Sequence, residues 1–73
     1  MTKARLQREA SILGDLIADE RKNLNRLRAE ARKATVPAVK KNYQGWAKES
    51  ADKIADFQKW KRHYLAEAKK AKL

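Results

Sequence analysis

A regular spacing of apolar residues in the first half of the sequence most constrains the fold. Ten positions separated alternately by three and four residues carry eight apolar side chains over more than four heptads. This spacing is typical of a coiled-coil seam on an α-helix. The ten positions are Lys3, Leu6, Ala10, Leu13, Ile17, Glu20, Leu24, Leu27, Ala31 and Ala34. Glu20 interrupts the seam, and we expect it to reach solvent, pair with a lysine of the facing helix, or help fix the register.

The pattern stops at Thr35-Val36-Pro37, which contains the only proline of the sequence. Proline lacks an N–H group and disfavours helical backbone at the residue before it, but it is favoured in the first turn of a new helix. We therefore predict one helix over about residues 3–34 and a second over about 37–71. A connection this short favours an antiparallel helical hairpin, so residues 1–73 are predicted to form one all-α unit.

The second helix carries an apolar stripe of its own that is broad and rich in aromatic residues. At 100° per residue its members fall within an arc of roughly 140°. Ser50 and Lys61 lie in the same arc, and we expect Ser50 to bond to its own preceding turn and Lys61 to bury only its stem. The stripe consists of Val39, Tyr43, Trp46, Ala47, Ile54, Phe57, Trp60, Tyr64, Leu65 and Ala68.

Gly14 and Gly45 are the two positions at which a helix could break. A stop at Gly14 would give a third, short helix before it. Both apolar patterns continue through the glycines without a change of phase. Two continuous helices are therefore the preferred prediction, with the three-helix arrangement as the alternative.

A single hairpin of this kind has little core of its own. The sequence has 73 residues and no cysteine, so disulfides and thiolate metal sites cannot stabilise it. One facing helix is too narrow to cover the broad aromatic stripe. We expect Trp46, Phe57, Trp60 and Tyr64 to be covered by a second copy, which would form a four-helix bundle, or by another protein. In layout alone, the predicted hairpin resembles the small dimeric helical-hairpin proteins that bind pairs of plasmid RNAs.

The charge is strongly basic, with 19 Lys and Arg against 9 Asp and Glu and a formal net charge of +10. Such a chain attracts polyanions. Angular arithmetic places Glu49, Asp52, Asp56, His63 and Glu67 on one flank of the second helix. The first helix carries a stripe of Arg8, Lys22, Arg26 and Lys33 opposite its seam. The opposite flank of the second helix is predicted to contact nucleic acid or an acidic partner, and it consists of Lys40, Lys41, Lys48, Lys59, Arg62, Lys69 and Lys70.

The sequence offers little for catalysis. Its single histidine, His63, has no convergent set of metal-ligating residues, and no glycine-rich phosphate loop or nucleophile motif is present. We therefore expect no enzyme activity, no cofactor and no metal. No apolar run approaches the roughly 20 residues that span a bilayer, and the first residues lack the apolar core of a secretory signal. A soluble, cytoplasmic protein is the expectation.

Three functions remain after these exclusions, and binding of the second helix to a membrane surface ranks last because the first helix is expected to cover part of its apolar stripe. The first is a small nucleic-acid-binding regulator, by analogy with those of phages and plasmids, that contacts phosphates without reading sequence. The alternative is a protein-interaction module, such as an inhibitor, an adaptor or a small structural subunit, that docks on an acidic partner. The predicted protein interface is the aromatic stripe, represented by Tyr43, Trp46, Ile54, Phe57, Trp60 and Tyr64.

Overall fold

The computed structural model describes residues 1–71, and two long α-helices account for almost all of them. Helix α1 spans Lys3–Lys33 and helix α2 spans Pro37–Lys70. The helices pack along their whole length in opposite directions, and the Cα atoms extend over 56 × 14 × 12 Å. The predicted all-α antiparallel hairpin is confirmed. No helix within residues 1–71 has an apolar stretch long enough to cross a membrane.

Local chemistry explains where each helix begins and ends. The hydroxyl of Thr2 accepts a hydrogen bond from the N–H of Arg5 at 3.2 Å, which caps the otherwise free first turn of α1. Ala34 and Val36 have extended backbone on either side of the turn. Pro37 opens α2, where its missing N–H costs nothing. The predicted turn at residues 35–37 therefore corresponds to the observed connection.

The seam of α1 faces α2 as the spacing predicts. Leu13, Glu20 and Ala34 are partly buried, and Lys3 is exposed at the end of the helix. Burial of these mostly aliphatic side chains is the main source of stability available to the hairpin. The buried members of the seam are Leu6, Ala10, Ile17, Leu24, Leu27 and Ala31.

The seam of α2 is narrower than the stripe that we predicted. The residues that face α1 are spaced alternately by four and three, as a heptad seam requires. Four members of the predicted stripe, Val39, Trp46, Trp60 and Leu65, remain exposed because a single facing helix covers only this narrow strip. The observed seam consists of Tyr43, Ala47, Ser50, Ile54, Phe57, Lys61, Tyr64 and Ala68.

Both helices continue through their glycines with ordinary helical backbone, so the three-helix alternative is excluded. Gly14 has a packing role, because a Cβ atom added there would lie 3.2 Å from the Nζ atom of Lys61. Lys61 is partly buried at this point, opposite the small residues Ala10 and Gly14. Gly45 has nothing within 4 Å of its missing Cβ and is simply a helical glycine at the surface.

The core that results is thin. Its centre is formed by Ile17, Leu24, Leu27, Ala47 and Ile54, with Tyr43, Ala51 and Phe57 packed at its edge. Within residues 1–71 the most deeply buried residues are the small Ala10 and Ser50, each with 2% exposure. No large side chain in this part of the chain is completely enclosed.

Candidate functional site

The hairpin has two long faces, and the grooves between the helices show which flanks meet on each. One groove is lined by Gly14, Ala18 and Arg21 of α1 together with Arg62 and Leu65 of α2. The grooves on the opposite side bring α1 residues such as Ile12, Leu16 and Arg26 against Trp60 and Trp46 of α2. Residues seven apart occupy the same side of a coiled-coil helix. The residues that line each groove therefore show which other residues of α1 and α2 lie on the same face.

The face on the side of Arg21 and Arg62 is named the basic face. It combines arginines of α1 with lysines and one arginine of α2. All nine acidic residues belong to residues 1–71. None of them occupies a heptad position that lies on this face. Its charged members outside the seam, in this part of the chain, are Arg21, Arg28, Arg32, Lys41, Lys48, Arg62 and Lys69. The ammonium of the seam residue Lys61 also lies in this groove, beside Gly14.

The opposite face is named the apolar face, and its charges nearly balance. Within residues 1–71, six acids and five bases share this face with exposed apolar side chains. The other three acidic residues lie elsewhere, Asp15 and Asp52 on the outer edges of the hairpin and Glu20 in the seam. The acids are Glu9, Asp19, Glu30, Glu49, Asp56 and Glu67, and the bases are Arg5, Arg26, Lys33, Lys53 and Lys70.

The seven bases predicted to share one flank of α2 are divided by the structure. Lys41, Lys48, Arg62 and Lys69 lie on the basic face. Lys59 lies on the outer side of α2, and Lys40 is exposed next to the turn. Lys70 lies on the other side of the helix, where its Nζ atom is 3.9 Å from Glu67 Oε1.

The bases of α1 are also arranged differently from our expectation. In the predicted stripe, Arg8 and Lys22 do lie on the outer side, but Arg26 and Lys33 belong to the apolar face. The arginines that join the lysines of α2 are Arg21, Arg28 and Arg32, which the sequence reasoning missed. Their spacing from the α1 seam shows on which side of α1 they lie. This places them on the basic face once it is known which side of α1 adjoins Arg62 of α2.

The residues predicted as a protein interface separate into core and surface. Ile54 is buried in the core, and Tyr43 and Phe57 pack against that core. Trp46 and Trp60 are 49% and 53% exposed. The expectation that α1 would leave both tryptophans uncovered is confirmed, whereas for Phe57 and Tyr64 it is wrong because both are partly buried in the seam.

Trp60 belongs to an apolar patch that includes residues of α1. The groove at this patch is lined by Ile12, Leu13, Leu16, Trp60 and Tyr64 together with the charged Glu9. The rings of Trp60 and Tyr64 have centroids 6.2 Å apart, so the two aromatic side chains form one continuous surface. Ile12 and Leu16 were not singled out from the sequence, because they lie outside the regular seam of α1.

A polar cluster at the rim of the apolar face links the helices. Ser50 Oγ donates a hydrogen bond of 2.6 Å to Glu20 Oε1, so the expectation that Ser50 bonds to its own helix is wrong. Asn23 Nδ2 also donates to this oxygen, and Arg26 Nη2 donates to Asn23 Oδ1. The hydrogen bonds from Ser50 and Asn23, with a smaller contribution from the charge of Lys53, lower the pKa of Glu20.

This cluster links the two helices through one hydrogen-bonded carboxylate in an open groove, which Glu49 and Lys53 also line. Within residues 1–71, no group of three or more His, Cys, Asp or Glu side chains is placed to hold a metal ion. No family model matches this sequence, and comparisons with curated proteins and with solved structures give no match either.

Proposed function

We propose that this hairpin binds nucleic acid through the basic face and contacts the phosphate backbone without reading base sequence. The main support for the proposal is the separation of basic from acidic side chains on the surface. Seven Lys and Arg side chains from both helices share one face on which residues 1–71 place no acid. Lysines that only keep a protein in solution do not require such separation from the acids.

The dimensions of the basic face suit a long, uniformly charged partner. Lys41 and Lys69 are 28 residues apart on one helix, which at 1.5 Å per residue corresponds to about 42 Å. Basic side chains recur along this length on both helices. A backbone that lies along the face can therefore meet several of them, and each phosphate contact releases condensed counterions.

The floor of the basic face favours close approach by a phosphate backbone. The positions between the charged side chains carry small residues such as Gly14, Ala18, Ala51 and Ala55, together with neutral polar residues such as Gln58. Leu65 is the one large apolar side chain there. Protein interfaces generally depend on buried aromatic anchors, and here the exposed tryptophans lie on the opposite face. These features favour a nucleic acid over an acidic protein as the partner of the basic face.

Two triple variants with equal changes in charge test the proposal. Arg21→Gln, Lys48→Gln and Arg62→Gln together alter the basic face. Arg8→Gln, Lys22→Gln and Lys59→Gln alter exposed bases on the outer sides and serve as the control. Each triple lowers the net charge from +10 to +7. Binding to a fluorescent DNA duplex is measured by anisotropy between about 50 and about 200 mM salt.

For the natural sequence, we expect the logarithm of the binding constant to fall linearly with the logarithm of the salt concentration. The basic-face triple should reduce the magnitude of this slope by about 3, since each lost phosphate contact contributes about 0.9. The control triple should keep nearly the full slope. Equal losses in the two triples, or a natural slope near zero, would contradict the proposal. Tighter binding to polyglutamate than to the duplex would instead favour an acidic protein partner.

A further inference from the structure

The apolar face presents large apolar side chains that the hairpin itself does not cover. Trp60 is 53% exposed, Ile12 is 46% exposed and Leu16 is 41% exposed, and all three line one groove with Leu13 and Tyr64. Trp46 lies on the same face about 21 Å nearer the turn, in a separate groove lined mostly by polar and charged residues. The exposed apolar patch around Trp60 is typical of an interaction site.

We infer that the apolar face is the interface with a second copy of this chain. A two-fold axis would pass through the patch, so that Ile12, Leu16 and Trp60 of one copy pack on the same residues of the other. Such an interface must be complementary to itself. The resulting assembly would be a four-helix bundle in which the two apolar faces meet.

The charge distribution identifies a second copy as the occupant. Two molecules that each carry a net charge of +10 repel one another unless they meet through a face with little net charge. The apolar face carries six acids and five bases interspersed along its length, whereas the basic face carries seven bases in residues 1–71. Only the apolar face therefore lets two copies approach closely without strong repulsion.

The size of the face is also sufficient. An area of 56 by 14 Å corresponds to roughly 800 Å², which is the area that each partner buries in a standard stable interface. The gain in burial would be large for this hairpin, because its own core is thin and its most buried residues are Ala10 and Ser50. Dimerisation would leave the two basic faces on opposite outer surfaces, where both remain free to bind.

A matched pair of leucine substitutions tests the interface. Leu16 and Leu65 have nearly equal exposure, 41% and 42%, but Leu16 lies on the apolar face and Leu65 on the basic face. Leu16→Lys and Leu65→Lys add the same charge. Sedimentation equilibrium of the full chain over a range of concentrations should show dimers for the natural sequence and for Leu65→Lys. Leu16→Lys should weaken dimerisation at least tenfold.

A monomeric natural sequence at all concentrations would overturn the inference, and so would equal effects of the two substitutions. If folding of the hairpin depends on its partner, Leu16→Lys would also unfold it. Cysteine cross-linking therefore provides a second measurement in this cysteine-free sequence. Ile12→Cys and Ser11→Cys place a thiol on adjacent residues of opposite faces. A short bismaleimide should couple Ile12→Cys into dimers efficiently and Ser11→Cys poorly. Equal coupling of the two variants would contradict the proposed interface.

Discussion

Glu20 and Ser50 form the one polar contact between facing seam positions of the two helices. Their 2.6 Å hydrogen bond joins residues that are 30 apart in sequence. A shift of α2 by one turn would place an apolar or charged side chain opposite Glu20 and leave its carboxylate without this donor. Polar residues in coiled-coil seams are known to fix register in this way, at some cost in stability. If Glu20 fixes the register as expected, Ser50 is the residue of α2 with which it does so.

The lowered pKa of Glu20 predicts that the stability of the hairpin depends on pH in the acid range. Because the folded state prefers the ionised carboxylate, this contribution is present above the ordinary pKa of 4.5 and is lost as the pH falls through the lower folded value. Glu20→Gln should abolish this component, and Ser50→Ala should reduce it. Thermal unfolding followed by circular dichroism between neutral and acid pH measures the effect.

Ser50→Ala should also lower the melting temperature near neutral pH by several degrees, because the carboxylate loses its donor from α2. Ser11→Ala is the matched control, since Ser11 is exposed on the same helix as Glu20. If the two serine substitutions have the same effect, the hydrogen bond between the helices makes no contribution to stability.

At the scale of the helices, continuity through Gly14 and Gly45 leads to another prediction. Alanine is favoured over glycine inside a helix by about 1 kcal/mol. Gly45→Ala meets no neighbour within 4 Å and should raise the free energy of unfolding by close to that amount. Gly14→Ala should gain less, because the ammonium of Lys61, at 3.2 Å from the new Cβ, must move. Urea denaturation compares the two variants, and a loss of stability in Gly45→Ala would be evidence against a continuous α2.

The sequence predicts the helices well because α1 follows a strict seam and a single proline separates it from α2. It predicts α2 less well because its apolar residues occupy both the seam and a flank. Tyr43, Phe57 and Tyr64 lie in the seam, whereas Trp46 and Trp60 lie fourteen residues apart on the flank. An angular window wide enough to include all five aromatic residues cannot separate these two groups.

The full set of residues on the basic face could not be predicted from either helix alone. Which flank of α1 adjoins which flank of α2 depends on the packing of the seams against each other. Arg21 and Arg62 are 41 residues apart in the sequence and line the same groove. The sequence therefore placed three further lysines of α2 with Lys41, Lys48, Arg62 and Lys69, and it did not find the arginines beside them on α1.

In the complete hairpin, the two faces have different proposed roles. The apolar face would join two copies through Trp60 and its neighbours, and the basic face would hold a phosphate backbone. Acids occur on the apolar face, in the seam and on the outer edges of residues 1–71, but not on the basic face. The two proposals can fail separately, since a monomer can still bind nucleic acid and a dimer can lack this activity.

Lysine footprinting of the natural sequence tests this division most directly. Acetylation of each lysine is measured by mass spectrometry with and without a DNA duplex at moderate salt. Lys41, Lys48 and Lys69 lie on the basic face, and the duplex should protect them strongly. The control lysines are Lys22 and Lys59 on the outer sides and Lys53 on the apolar face. Their reactivity should change little, whereas equal protection of all six lysines would show that the basic face is not the binding surface.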